Sequence, residues 1–373
     1  MSTTRSHGPR LGDDAAGHQG GSRARWWKDV PVSDVGARPL RPPASSSGDT
    51  IAVVSPSWCG PAEAPTPYRR GLAALRAHGF EVRVMAHAER RRGWVSGTPQ
   101  ERVADLHDAF ADQQVRAVLC TIGGLHSAQL LPLLDFDLIA ANPKVFCGYS
   151  DITSLHLAIH GVTGLVTFYG PAVIPQWGAV GGPLAYMVEH FAQVVGRPEP
   201  AGSLPRADYE IHDTDFERAE RTGEPLRRTP SRPREVLRGG RAKGCLVSAC
   251  LPVARNLIGT PWEPELDGRV LVLETPETPY DPETADADLT HLRLAGWLDG
   301  LAALVLCRPY DFTDAQTEQL HEALMAHVAQ WDYPVIARVE GGHTDPLPTF
   351  PLGVTVEVDS TDLVIRETAV TAR

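Results

Sequence analysis

The sequence predicts an α/β protein with a doubly wound parallel-sheet domain in its N-terminal half and a smaller α/β domain in its C-terminal half. Three observations carry this. Short apolar, β-prone runs alternate with helix-period stretches from residue 51 onward. The composition breaks over residues 196–236, where proline, arginine and acids replace apolar residues. A chain of 373 residues also exceeds one ordinary core.

The elements follow in order. Residues 1–49 are rich in Gly, Ser, Arg and Pro and predict a flexible arm, with Trp26 and Trp27 able to pin it to the surface. "IAVVSP" predicts a buried strand, and "YRRGLAALRAHG" a helix closed by Gly79. "FEVRVM" alternates as a strand does. "ERVADLHDAFAD" sets Val103, Leu106 and Phe110 on one helical face. "VRAVLCTIGG" predicts a strand ending in paired glycines, and "HSAQLLPLLD" a helical segment. "KVFCGYS" predicts a strand, and "DITSLHLAIHG" a helix that buries Ile152, Leu155 and Ile159. "GLVTFYGP" predicts the last strand of this half.

The N-terminal domain is placed at residues 50–195, with 196–236 as a linker and surface loop. Residues 237–373 form the second domain. Its strands are "GRVLVLETPE", "LAALVLCRPY", "YPVIARVE" and "GVTVEVD", with helices in "TADADLTHLRLAGWLDG" and "TDAQTEQLHEALMAHVAQW".

Composition narrows the partners. A formal net charge of −11 disfavours nucleic acid and anionic membrane as partners. No apolar run reaches the roughly 18 residues that span a bilayer, and the N-terminal residues lack the apolar core of a signal peptide. The six cysteines form no CxxC pair, and several lie in strand-like runs. They predict buried thiols in a reducing, cytoplasmic compartment and no metal site.

In a doubly wound sheet, ligands bind beyond the carboxyl ends of the strands. Ser55, Gly123, Gly124, Ser150, Tyr169 and Gly170 fall at those ends. In "VFCGYSDIT" a serine stands at a sharp strand-to-helix turn. That position suits a helix cap. It also suits a nucleophile pushed into a pocket. A nucleophilic serine needs a base and a group that orients the base. Glu274 follows the apolar run "LVL", which fits either an exposed strand-end acid or a buried carboxylate with a partner. His343 lies in "EGGHTDPLPTFPLG", between glycines and prolines that hold the loop in one shape, and also fits a surface turn. An oxyanion hole needs two convergent N–H groups; Asp151 at a helix start and Gly124 are placed to supply them.

These blocks carry a resemblance. "IAVVSPS", "SGTPQERVADLHDAFAD", "TIGGLHSAQLLPLLD", "NPKVFCGYSDITSLH", "TFYGPAV", "GRVLVLETPE" and "GGHTDPLPTFPLGV" resemble, in order, the successive blocks of the serine LD-carboxypeptidase family over roughly residues 50–367. The resemblance implies a catalytic triad of Ser150, Glu274 and His343, with Gly124 and Asp151 as the oxyanion hole. It implies a homodimer, a small-molecule or peptide substrate, and no metal or organic cofactor. Ser150 belongs to the first domain and Glu274 and His343 to the second, so the active site is expected at their interface.

Two branches of the family differ in substrate. One removes the terminal D-alanine of peptidoglycan fragments. The other, the microcin C immunity peptidases, cuts an amide between an amino acid and a nucleotide-like group. "TIGG", "FYGP" and "LETPE" resemble the second branch. His126 departs from it, standing where that branch usually has Asn. So does the inter-domain loop, which offers Tyr209 and Phe216 but no Trp, and the stretch around Lys243 lacks the usual glycine-rich turn. Ser55, Gly123, His126, Tyr169, Tyr209 and Phe216 are the expected substrate-binding residues, with Arg218 or Arg221 available to an anionic group. Two other functions fit the same residues. Capture of the acyl-enzyme by an amine or alcohol would make an acyltransferase, and loss of chemistry would leave a ligand-binding protein.

Overall fold

The structure is a computed structural model that describes residues 39–277 and 279–372. The remaining residues, Trp26 and Trp27 among them, lie outside the described residues. Among the described residues no helix is long and apolar enough to cross a membrane.

The expected strands of the first half form: β1 (Thr50–Val54), β2 (Glu81–Val84), β3 (Val115–Cys120), β4 (Val145–Gly148) and β5 (Phe168–Tyr169). They pair in parallel in the order β5-β4-β3-β1-β2. The chain reverses direction across the sheet between β1 and β3, and such a switch point opens a crevice at the carboxyl ends. The helix Pro99–Ala111 buries Val103, Leu106 and Phe110 against this sheet. A capping box starts it, in which the Glu101 N–H donates to Thr98 Oγ1 (3.1 Å) and the Thr98 N–H to Glu101 Oε2 (2.8 Å). "HSAQLLPLLD" is helical only as a 3-10 segment, Ser127–Leu133, because Pro132 cannot donate in a continuous α-helix.

The second half builds an eight-stranded sheet. After β6 (Gly202–Ser203), the hairpin strands β7 (Tyr209–Glu210) and β8 (Thr229–Pro230), and β9 (Glu235–Arg238) come the central strands. These are β10 (Arg241–Cys250), β11 (Arg269–Glu274), β12 (Ala303–Cys307) and β13 (Val335–Val339), all parallel. Antiparallel strands flank them: β9 on one side, and β15 (Thr355–Asp359), β16 (Asp362–Ile365) and β6 on the other.

Two segments tie the halves together. The strand β14 (Phe350–Pro351), from the C-terminal half, pairs antiparallel with β5 at the edge of the first sheet. Residues 39–45, assigned by composition to the arm, are packed: Leu40 bridges Leu165, Pro43 bridges Thr371, and Ala44 and Ser45 are buried. The buried apolar residues of both sheets form one connected core. The stretch 196–236, expected as linker and surface loop, also holds β6 to β8, the helix Phe216–Thr222 and buried charged residues, Glu210 and Arg234. All six cysteines are free thiols, and all but the half-buried Cys245 are buried.

Candidate active site

The strand β4 ends at Gly148, Tyr149 continues extended, and Ser150 turns to φ +64°. A non-glycine residue there costs about 1–3 kcal/mol. The turn runs through a 3-10 segment, Ser150–Ile152, into the helix Thr153–Thr163. The loop after β3 lies directly on it. A Cβ on Gly123 would fall 2.7 Å from Ser150 Cβ and 3.2 Å from the Asp151 nitrogen, so only glycine fits. Gly124, at φ +142°, is likewise confined by Ser57 and Trp58. The buried Asp151 carboxylate fastens the two loops. Its Oδ2 accepts from Ser57 Oγ (2.6 Å), the His126 N–H (2.9 Å) and the Ser127 N–H (2.7 Å).

Glu274 closes β11 and is buried, the situation that demands a partner. His343 reaches it from the loop after β13. Gly342 permits the approach, since a Cβ there would lie 2.6 Å from Glu274 Cβ. The His343 Nδ1–H donates to Glu274 Oε2 at 2.8 Å. With that tautomer, Nε2 accepts from the Ser150 hydroxyl at 3.0 Å. Burial alone would lower the His343 pKa, but the carboxylates of Glu274 and Glu277 outweigh it, and the ring titrates above its ordinary value. Ser150, Glu274 and His343, the expected triad, therefore form one hydrogen-bonded chain, drawn from both sheets.

Tyr169 has a different place from the one expected. It is fully buried. Its hydroxyl donates to Glu274 Oε1 at 2.5 Å and accepts from the Ser150 N–H at 3.0 Å. Burial, then the charge of Glu274, pushes the phenol well up, so it stays a donor. It braces the triad and does not line the crevice. Tyr169→Phe leaves a buried carboxylate oxygen and a backbone N–H without this partner. We expect kcat to fall about tenfold with KM little changed. A KM effect alone would return Tyr169 to the substrate wall.

The other expected binding residues divide. Ser55 is buried, its hydroxyl engaged with Ala88 O (2.7 Å) and Thr121 Oγ1 (2.8 Å), so it joins β1 to β3 and does not face a ligand. Gly123 lies against Ser150. His126 is half-buried beside the exposed Trp94, ring centroids 5.7 Å apart. Tyr209 is half-buried, with the Arg228 guanidinium 4.2 Å over its ring. Phe216 and Arg221 are exposed, and Arg218 pairs with Asp213 at 2.9 Å. Sequence reasoning missed Tyr149 and Tyr310, whose rings flank His343 at 5.0 and 6.5 Å, and Asp345 in the His343 loop. The signal for Asp345 was its place two residues after the histidine.

Cys250 pairs with Glu274 across β10 and β11, and Cys250, Glu274 and His343 offer ligand atoms within 4.8 Å of one another. Both Glu274 oxygens and both His343 nitrogens are, however, engaged with each other, Tyr169 and Ser150.

Both halves of the chain resemble known proteins. Residues 51–170 match the LD-carboxypeptidase N-terminal domain and residues 243–358 the LD-carboxypeptidase C-terminal domain. A putative carboxypeptidase of Streptomyces coelicolor is 32% identical over 334 residues, covering 86% of this chain and 94% of that protein. A probable murein peptide carboxypeptidase of Bacillus subtilis is 29% identical over 329 residues, covering 86% and 92%. The solved structure of the microcin C7 self-immunity protein in complex with aspartyl sulfamoyl adenosine superposes with a TM-score of 0.83 at 26% identity, covering 89% of this chain and all of that one. The chain thus belongs to the LD-carboxypeptidase family of serine peptidases.

Proposed function

We propose that this enzyme cleaves an amide bond of a small peptide or aminoacyl conjugate through an acyl-enzyme on Ser150. The observation that carries the reading is the continuous Ser150–His343–Glu274 hydrogen-bonded chain. Ser150 Oγ attacks the carbonyl carbon while His343 Nε2 takes its proton. Glu274 holds the imidazole tautomer and stabilises the imidazolium. The N–H groups of Gly124 and Asp151 receive the developing oxyanion. The close seating of the glycine loop on the Ser150 turn supports that pairing. The protonated His343 then donates to the departing amine, and water, activated by the same imidazole, releases the acyl group. The free, mostly buried thiols support a cytoplasmic enzyme. A homodimer is proposed from the family resemblance, and sedimentation measures it directly.

The experiment offers the purified enzyme a murein tetrapeptide and an aspartyl sulfamoyl adenosine, with product release read by mass spectrometry. Cleavage of either amide is the expected result. No cleavage in water, with product appearing only when an amine is added, would assign an acyltransferase instead. The pH profile carries a sign. His343 must be neutral to act as base, and its pKa is raised above 6.5. Activity therefore falls as pH drops through a limb above 6.5. In Glu274→Gln the residual activity has that limb displaced toward acid, because the charge that raised it is gone. An unmoved limb would detach His343 from the profile.

A further inference from the structure

The triad carboxylate stands between two strand-end thiols. Cys250, Glu274 and Cys307 are the last residues of β10, β11 and β12, three neighbouring parallel strands. All three are buried. Cys250 pairs in register with Glu274, so the two side chains leave the sheet on the same side. Cys307 takes another course, with its Sγ 3.9 Å from the Glu340 carbonyl. Cys250 Sγ, a Glu274 oxygen and a His343 nitrogen lie within 4.8 Å of one another, the sole such group among the described residues.

Thiolate, carboxylate and imidazole are zinc ligands, and three of them leave a fourth position open. A tetrahedral ion with bonds of about 2.0–2.3 Å spaces its donors about 3.3–3.6 Å apart. His343 Nδ1 and Glu274 Oε2 already stand at 2.8 Å, so small side-chain rotations bring the three donors to that spacing. His343 and Ser150 are half-buried, which gives an ion its way in from their side. In the resting enzyme the ring proton occupies the place between His343 and Glu274. Burial, then the charge of Glu274, raises the Cys250 thiol, so it too carries a proton. An ion therefore competes with protons here, as an inhibitor does, and takes no part in the reaction.

We propose that Cys250, Glu274 and His343 form an inhibitory site for zinc and similar thiophilic ions, which switch the nucleophile off by taking the place of the proton between His343 Nδ1 and Glu274. The Cys250 S–H bond breaks and its proton leaves to solvent. The ring proton moves from Nδ1 to Nε2. Lone pairs on Sγ, Nδ1 and Glu274 Oε2 bind the metal. His343 Nε2 then bears a hydrogen and cannot accept the Ser150 proton. Binding rests on the geometry of the three donors; the loss of activity rests on His343 being the base of the proposed mechanism, and the test separates the two. Labelling of Ser150 by a neutral fluorophosphonate is measured with and without zinc chloride, and the absorption spectrum is recorded with cobalt(II) chloride in place of zinc. Saturating zinc should slow labelling of the wild type about a hundredfold, as loss of the base does, and a chelator should restore it. Cobalt should give a thiolate-to-cobalt charge-transfer band. Cys250→Ser should lose the band and need about a hundredfold more zinc for the same slowing. A wild-type enzyme without the band, or a zinc effect equal in wild type and Cys250→Ser, overturns the inference and leaves the triad standing. The band with undiminished labelling overturns the switch and removes His343 as the base. The wild-type spectrum and labelling ratio carry the test should Cys250→Ser not fold.

Discussion

Ser150→Ala is expected to cut turnover by about four to six orders of magnitude while the protein stays folded. The loss is that large because His343 then has no hydroxyl to deprotonate, and Glu274 orients a ring that has no task. His343→Ala and Glu274→Ala should be similarly inactive in sequence-independent assays of amide cleavage, and the double variants little worse than the singles, since the three act as a unit. Backbone strain adds a second readout. Alanine keeps the φ +64° conformation and its cost, whereas glycine adopts it freely. Ser150→Gly should be as inactive as Ser150→Ala yet more stable by up to about 1 kcal/mol, read as the urea midpoint. Substantial activity in Ser150→Ala would remove the nucleophile from this turn. A glycine variant less stable than the alanine variant would show that the turn is not strained.

The second large effect is on stability. Glu340 follows β13 at the start of the His343 loop, and it anchors a buried ion network with side chains only 1–3% exposed. Arg234 meets it at 2.6 Å and Arg308 at 2.9 Å, and Arg308 continues to Glu210 at 3.4 Å. The Ala207 N–H also donates to Glu340, at 3.1 Å. The network thus clamps the 203–236 stretch onto the ends of β12 and β13, next to the catalytic loop. Glu340→Ala strands two buried guanidinium groups and should cost about 3–5 kcal/mol. It should lower kcat as well, through a loosened His343. Glu340→Gln, which keeps the shape but not the charge, should fall between. A loss under about 1 kcal/mol would mean that water reaches these arginines and the clamp is slack. Glu210 adds a pH dependence. Burial opposes its ionisation, but hydrogen bonds from His212 and Arg232 outweigh this and pull its pKa to about 2 from 4.5. Its folded-state pKa is depressed, so its contribution is complete above pH 4.5 and is lost as pH falls toward 2.

The parallel sheets and the triad could be read in the sequence because both leave local signals. Apolar runs such as "AVVSP" and "RVLVLE" mark strands by themselves, and Ser150, Glu274 and His343 stand where such runs end in turns. The expected α/β fold, with one sheet from each half, is what forms. Which way a strand-end side chain faces leaves no such mark. One residue of register carries it to the other side of the sheet, which is why Ser55 and Tyr169 pointed inward while both had been placed on the ligand wall. The 203–236 stretch hid its role for another reason. Arginine and glutamate in proline-rich sequence have the composition of a solvated loop, and only the partners Arg308, 98 residues after Glu210, and Glu340, 106 residues after Arg234, turn them into interior pairs. The two-residue β14 carries too little pattern to be seen, and its pairing with β5 is long-range.

The central claim is that Ser150 becomes covalently acylated with His343 as its base. Peptide mapping by mass spectrometry after reaction with a neutral fluorophosphonate tests it most directly, in the wild type and in His343→Ala. The account predicts one adduct per chain, on the peptide containing Ser150, formed at least about a hundredfold more slowly in the variant. An adduct on another residue, or equal labelling of Ser150 with and without His343, would contradict it.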